Sequence, residues 1–456
     1  MHIFKKSLLG NVLFLSAFSF AGGLNHNTNQ SVDFVRNFAQ DAATGAQAVY
    51  YNPAGLAFNS EGLHLQVHNQ TIWQTRTIKA EGFGKYKGES FVPFMPSIFA
   101  DYHYKKWNAF AGFMVVGGGG AAEFDDGLPM IDMLLGQMVG QKLGANPQIA
   151  GLMQQSKLSV TDVFDAEFEG EQYIYGFLIG GTYKINDMFS VALGARFNVA
   201  LNSYYGEMSS TNKLENVVES LPSEMLLAEQ KAGIKAALQK SLNLTLLDNE
   251  QSGVGITPIV SMHFHYKKLN AAIKYEHNTS IEVENDTEEI AEGVAAVLPQ
   301  FLDSKKTNND MPGFLSVGAS YAFLDWLRAS VGYHHYFDQF ASYANGKEEK
   351  LHHDEKEAVF GVEVDPIKIL TLSLGVQRTL YGVSDEYIDD ISFNLPSWSF
   401  GGGFSVQILE WLRFQAGYMI TLYEDWNKTE NLGTQKIKKN YDRTSHNIGF
   451  GFNFDL

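Results

Sequence analysis

The residue types able to do chemistry in this chain are histidine, the acids beside it and two isolated cations. His334-His335 and His352-His353-Asp354 have the composition of a proton-transfer or metal site. Hydrolysis further needs a nucleophile aligned with a base, and the sequence has no Cys, no GxSxG, no HExxH and no phosphate-binding glycine loop. The chain therefore reads as a non-enzyme, without catalytic residues, metal or cofactor. Arg196 and Lys274 suit a different task. A carboxylate carried into apolar surroundings needs a cation to meet it, so these two are candidate substrate-binding residues. Pairing with acids such as Glu357 or Glu363 is the competing reading. An apolar ligand also needs a groove, which Leu134, Met138, Leu221 and Met225 can supply, because methionine-rich surfaces adapt to varied guests.

Composition and period indicate what must hold these residues. Of 456 residues, 13% are aromatic and only 19% charged, against roughly 25% charged in soluble domains. The net charge of −17 excludes nucleic acid as a partner. After residue 21 no stretch approaches the roughly 18 uninterrupted apolar residues that a membrane helix needs, so a membrane can be crossed only by a closed barrel. From residue 62 onward apolar residues alternate with small or polar ones in fourteen segments, the period of strands with two different faces. They cover 62–74, 90–104, 107–118, 168–184, 187–203, 253–266, 269–283, 312–323, 326–338, 355–364, 367–380, 393–407, 411–425 and 442–456.

The breaks between segments alternate in kind. Lys105-Lys106, Asn186-Asp187, Lys267-Lys268, Leu324-Asp325, Asp365-Pro366 and Leu409-Glu410 read as tight turns, and the intervening breaks, from the first-to-second onward, as long loops. An even strand count with short turns at one end is the pattern of an all-β outer-membrane protein: a 14-stranded antiparallel barrel, residues 62–456, with both termini periplasmic. Trp107, Trp326 and Trp411 follow tight turns, where an interfacial girdle belongs. Ile448, Phe450, Phe452 and Phe454 would meet lipid, and Gly449, Gly451 and Asn453 the lumen. Three extracellular loops carry helical spacing instead: Ile131, Leu134, Leu135, Met138 and Val139; then Val217, Val218, Leu221, Met225 and Leu226; then Ile290, Val294, Val297, Leu298 and Phe301. These stripes either pack on each other as a cap or also frame an apolar access groove. Acidic loops suggest contact with lipopolysaccharide through divalent cations, or simple solvation.

Lys5 and Lys6 precede an apolar run over 8–20, and Ser19 and Ala21 stand before Gly22, so residues 1–21 read as a secretory signal peptide. Residues 22–61 lack the strand pattern and read as a hatch inside the barrel, the alternative being a disordered tail. Gly117-Gly118-Gly119-Gly120 ends the third segment, where missing side chains permit a bend.

Ala21-Gly22-Gly23-Leu24-Asn25, Asp41-Ala42-Ala43-Thr44-Gly45 and Val49-Tyr50-Tyr51-Asn52-Pro53-Ala54-Gly55-Leu56 resemble the N-terminal hatch of FadL-type outer-membrane transporters for long-chain fatty acids and aromatic hydrocarbons, and the run from Gly120 to Gly127 resembles that family's exit from the third strand. The resemblance implies passive uptake of a hydrophobic small molecule, most of all a fatty acid, by loop capture, lumenal binding and lateral exit at a kinked third strand. It makes Asn52, Pro53 and Ala54 of the hatch, with Gly117 and Gly118, the gating residues. The expected partners are that substrate, outer-membrane lipid and lipopolysaccharide, and the expected state is a monomer. A general porin for polar solutes is the alternative, and a barrel hydrolase a less favoured one.

Overall fold

The computed structural model describes residues 24–124, 127–224, 226–390, 392–432 and 435–456; the expected signal peptide and Met225 lie outside the described residues. Fourteen antiparallel staves close into one barrel. They are β1 (Gly62–Ala80), β2 (Gly84–Tyr104), β3 (Trp107–Phe124), β4 (Phe164–Lys184), β5 (Phe189–Ser210), β6 (Leu244–Tyr266), β7 (Leu269–Glu276), β8 (Gly313–Leu324), β9 (Leu327–Phe337), β10 (Lys356–Ile367), β11 (Leu370–Leu380), β12 (Ser397–Leu409), β13 (Leu412–Tyr423) and β14 (Gln435–Asp455). Closure is made by β14 on β1, in register from His64↔Asp455 to Ala80↔Lys439. Glu282–Ile290, Lys306–Asn308 and Trp426–Leu432 add short pairings at the loop end.

The wall is tall on one side. β4, β5 and β6 have 21, 22 and 23 residues, whereas β9, β10 and β11 have 11, 12 and 11. A membrane needs about 9–11 residues per tilted strand, so the tall side stands well beyond lipid. There the alternation inverts its phase. In the lower barrel Val67, Phe177, Leu193, Phe400 and Phe450 face outward and His68, Arg196 and Gln415 face in; above it Ile78, Tyr86, Phe164 and Phe168 are buried inside while Lys79, Lys85, Asp165 and Glu167 are exposed outside. Lipid draws apolar side chains outward, and water draws them in.

This inversion explains the first departure from the sequence reading. The expected long loop between the first two strands does not exist: β1 and β2 run on past the membrane and join through residues 81–83. The turn expected at Asp365-Pro366 is displaced as well. β10 continues to Ile367 across a register shift, and the chain turns at Lys368-Ile369. The turns at Lys105-Lys106 and Lys267-Lys268 stand as read, those expected at Leu324-Asp325 and Leu409-Glu410 fall one residue later, at 325–326 and 410–411, and Asn186-Asp187 lies within a longer turn at 185–188; Trp107 follows its turn and Trp326 and Trp411 sit in theirs, all three exposed.

The long loops pack as a cap. α3 (Pro129–Gly144) and α4 (Pro147–Ser156) follow β3, α5 (Lys213–Ser220) and α6 (Ala228–Leu242) follow β5, and α7 (Glu292–Val297) follows the strand Glu282–Ile290. The helical stripe expected from Ile290 to Phe301 is present from Glu292 onward: α7 carries Val294 and ends at Val297, a 3-10 turn over Pro299–Phe301 carries Phe301, and only Ile290 belongs to the preceding strand. α5 stops before Leu221 because Pro222 disfavours helical backbone in the residue preceding it. Leu135, Val139, Val218, Leu242, Phe301, Tyr343 and Tyr387 share one apolar core.

Candidate functional site

Residues 24–61 sit inside the barrel. α1 (Val32–Arg36) starts at Ser31, whose Oγ accepts from Phe34 N. Its Phe34 stacks on Tyr51 of α2 (Ala48–Tyr51), with Phe38 edge-on to Phe34 and Tyr50 edge-on to Tyr51. The wall is shaped to receive this unit. Inward positions of β10, β11 and β12 are glycine at 361, 375 and 401, and a Cβ there would press on Asn37, Phe38 and Val35 respectively. Charged contacts fix the fit: Arg36 meets Asp33 at 3.3 Å and Glu363 at 3.5 Å and donates to Gln415 at 2.9 Å, while Asp41 meets His334 at 2.8 Å, which meets Glu357 at 2.8 Å. Breaking one partner of a buried pair strands the other charge, so these contacts specify where the hatch sits.

Asn52, Pro53 and Ala54 anchor the hatch, though not to the strand expected to gate. Asn52 Nδ2 lies 2.7 Å from His263 Nδ1 and donates to Ala43 O at 3.1 Å. Pro53 O accepts from Thr182 Oγ1 at 2.7 Å, Ala54 N donates to Ser261 Oγ at 2.9 Å, and Ser190 Oγ donates to Ala54 O at 2.6 Å. The motif therefore docks on β4, β5 and β6. The third strand is held by residues that the sequence reading passed over: Asn27 N donates to Val116 O at 2.7 Å, Asn27 Nδ2 to Gly118 O at 2.5 Å, and Gln30 Nε2 to Val115 O at 2.8 Å.

Those carbonyls belong to a break in the wall. β2 and β3 pair at Gly88↔Phe124 and Glu89↔Glu123 and again from Ile98↔Phe113 to Tyr104↔Trp107, with no pairing in between. Two causes are visible in the sequence of β2 and β3. Pro93 and Pro96 bring no N–H to the ladder. On β3 the register against β4 slips twice, between Val115 and Gly117 and between Gly118 and Gly120. Gly118 takes φ of 64°, a left-handed conformation that puts a bulge in the strand. The glycine run therefore lies within β3, which continues to Phe124, and does not end it. Asn69 Nδ2 and Thr71 Oγ1 on β1 take up Pro93 O at 3.1 and 2.9 Å, so the kinked β2 is satisfied from its other side. A Pro-x-x-Pro inside an alternating segment was the signal that could have located the break.

A cavity of about 350 Å³ opens above the hatch at the loop end. Leu24 and Asn25 line it together with Gln172, Asn202, Gln251 and Asn309, aromatic walls from Tyr204, Phe301, Tyr343 and Tyr387, and Lys347 and Lys350. Asn25 Nδ2 donates to Asn309 Oδ1 at 2.9 Å, and a Cβ on Gly117 would come within 2.7 Å of Asn25 O. One hatch segment, 24–30, thus touches both the cavity and the wall break.

The residues expected to bind substrate are dispersed. Arg196 and Lys274 each meet Glu276 at 2.7 Å, and Lys274 also donates to Tyr50 O at 2.8 Å, so the hatch covers them. The pairing acid is Glu276, not Glu357 or Glu363. Leu134, Met138 and Leu221 pack against the loop core instead of lining the cavity. His335 meets Asp354 at 3.1 Å, and Asp354 accepts from Gln339 N at 3.0 Å, which ties the base of the 338–355 loop. A second lumenal cation pair escaped the sequence reading. Arg76 and Arg443 are register partners on β1 and β14, both 1% exposed, over the rings of Phe393 and Tyr423 at 5.2 and 4.6 Å. Arginine at an inward position of the alternation was the available signal.

A hatched, fourteen-stranded outer-membrane-type barrel with a wall break is the architecture that these observations define. Solved structures share it: the crystal structure of a Pseudomonas aeruginosa FadL homologue aligns with TM-score 0.61 and 11% identity over 94% of this chain and 99% of that one. A deltaS2 mutant of the TodX monoaromatic hydrocarbon channel gives 0.57 and 13% over 93% and 98%, and the P. putida toluene transporter TodX 0.54 and 13% over 92% and 98%. No family model and no curated protein matches the sequence. The chain has the FadL-type fold.

Proposed function

We propose that this barrel lets hydrophobic small molecules, long-chain fatty acids foremost, cross an outer membrane passively. The helical cap faces outward, both termini face the periplasm, and residues 22–61 are the hatch. Substrate enters the cavity lined by Tyr204, Phe301 and Tyr343, displaces Leu24 and Asn25, and leaves sideways between β2 and β3. The observation that carries this reading is the unpaired stretch of β2 and β3 whose carbonyls are capped by Asn27 and Gln30 of the hatch. A hydrogen-bonded ladder is hard to part, but a stretch closed by three hatch bonds opens when the hatch shifts.

The cavity favours an amphiphile over a bare hydrocarbon. Its amides, Gln172, Asn202, Gln251 and Asn309, would lose water without return if covered by hydrocarbon alone. A carboxylate head returns those bonds, with Lys347 and Lys350 beside it, and the aromatic walls take the chain. Deeper in the lumen Arg196 and Lys274 are available to a carboxylate only after Tyr50 has moved. Uptake of labelled long-chain fatty acid by cells lacking their own transporter tests this reading. Expression of the chain should confer it, while proteoliposomes should stay closed to small sugars. Sugar permeation without fatty-acid uptake would make the barrel a porin.

A further inference from the structure

Beyond uptake, the outer rim has two faces of opposite charge. On the tall side above the apolar belt, β4, β6 and the strand Glu282–Ile290 turn Glu167, Glu169, Glu250, Glu284 and Asp286 outward. At the same end β14, β1 and β2 turn out Lys436, Lys438, Lys79, Lys85 and Lys87. In a chain of net charge −17 this is a local reversal. The lysines lie on adjacent strands, with Lys79 opposite both Lys85 and Asn440, and Thr77 opposite Lys87. Glu81 meets Lys438 at 3.7 Å, Glu89 pairs with Lys87, and Asp442 faces out opposite Thr77, which leaves the cluster net positive, five cations to three acids. A groove of about 550 Å³ indents it, lined by Lys79, Lys428, Lys438 and Lys439 with Asn427 and Asn440, and also by Glu81 and Asp385. Trp73 and Phe91, in ring contact at 5.4 Å and exposed, mark the upper edge of the apolar belt just below.

We propose that this lysine face docks the phosphate groups of lipopolysaccharide in the outer leaflet. Charge decides the occupant: flexible ammonium groups standing a few residues above an interfacial aromatic pair meet head-group phosphates, and the groove's amides suit the sugars that carry them. The acidic face at the same height repels the same phosphates, so the glycolipid is bound on one side of the barrel, beside β2 and its break. The proposal rests on the outward orientation given above and not on transport.

The test uses the full-length protein in maltoside micelles, titrated with bisphosphorylated lipid A and followed by native mass spectrometry. Replacing the five lysines by Gln should weaken binding at least about tenfold, and replacing them by Arg should preserve it. Dephosphorylated lipid A should bind wild type as weakly as lipid A binds the Gln variant, and inorganic phosphate at matching concentration should displace nothing. Equal binding by wild type and the Gln variant, equal binding of dephosphorylated lipid, or displacement by inorganic phosphate would overturn the proposal. Surface labelling of Glu229→Cys in α6 on intact cells checks orientation separately. Absence of label there would place the lysines away from the glycolipid and refute the docking, whatever the outcome of the uptake assay.

Discussion

Gly118 is the residue at which conformation and position both exclude a side chain. It has φ of 64°, and a Cβ would overlap the carbonyl of Gln172 on β4. A valine here would strain the bulge instead of restoring a regular strand, whatever its own preference for extended backbone. Gly118→Val is expected to lower barrel stability by about 1–3 kcal/mol, read as a shifted urea midpoint in detergent. Gly117→Ala acts differently, because its methyl would press on the backbone Asn25 O of the hatch and, on the wall, only on the far end of the Ile174 side chain of β4, which can turn away; it should lower the midpoint less than Gly118→Val and loosen the hatch.

Asp338 opens the loop after β9 and is buried with Glu355, whose own carboxyl is also pushed up by burial and by Asp338. Burial, with the charge of Asp354 adding to it, pushes the Asp338 carboxyl from its ordinary value near 3.8 up to about 7. The folded loop therefore holds this proton where an unfolded one has released it. Its contribution to stability is fully present below about pH 4 and is lost as pH rises through about 7. Intrinsic-rate-corrected hydrogen exchange of residues 338–355 should be slower at pH 5.5 than at pH 8.5, and Asp338→Asn should reduce that difference. Equal protection at both pH values in the wild type would contradict the assignment.

At the scale of elements, the two ends of the hatch have separate partners. Asn52, Pro53 and Ala54 fasten its C-terminal end to β4, β5 and β6, and Asn27 and Gln30 fasten its N-terminal end to β3. Asn52→Ala with Ser261→Ala removes buried bonds worth about 1–3 kcal/mol each and should release the fixed end, seen as intermittent conductance in planar bilayers while the barrel still migrates as a folded species. β2 offers the complementary change. Pro93→Val with Pro96→Val supplies the missing donors to the ladder, so it should raise the unfolding midpoint and slow delivery of substrate; faster delivery would place the exit elsewhere.

The strands were legible because their causes are local. Alternation such as Phe450-Gly451-Phe452-Asn453-Phe454 needs no knowledge of neighbours. The hairpin joining β1 to β2 was hidden because its solvent changes: Ile78 and Tyr86 continue the alternation with the apolar face turned inward, a pattern that presupposes the loop core they meet. The sites were less legible than the strands. Arg196 and Lys274 could be placed inward by period alone, and so could Glu276 two residues from Lys274 on β7, but Glu276 as the partner of Arg196 depends on the register of β5, β6 and β7. Leu134, Met138 and Leu221 show helical spacing whether they line a cavity or fill a core, and packing alone separates the two.

At the scale of the whole molecule, the N-terminal segment that fills the barrel lies within reach of both the cavity at the loop end and the break in the wall. The account turns on movement of residues 24–30. The absence of cysteine gives a clean background for locking that segment. Asn27→Cys with Val116→Cys joins two residues whose backbones meet in a 2.7 Å hydrogen bond, close enough for a disulfide. The oxidised variant, folded and displayed normally, should fail to deliver labelled fatty acid while still binding it, and a reductant should restore delivery to the level of either single variant. Delivery at the same rate in the oxidised and reduced states would contradict the account, because substrate would then be crossing with the hatch fastened to β3.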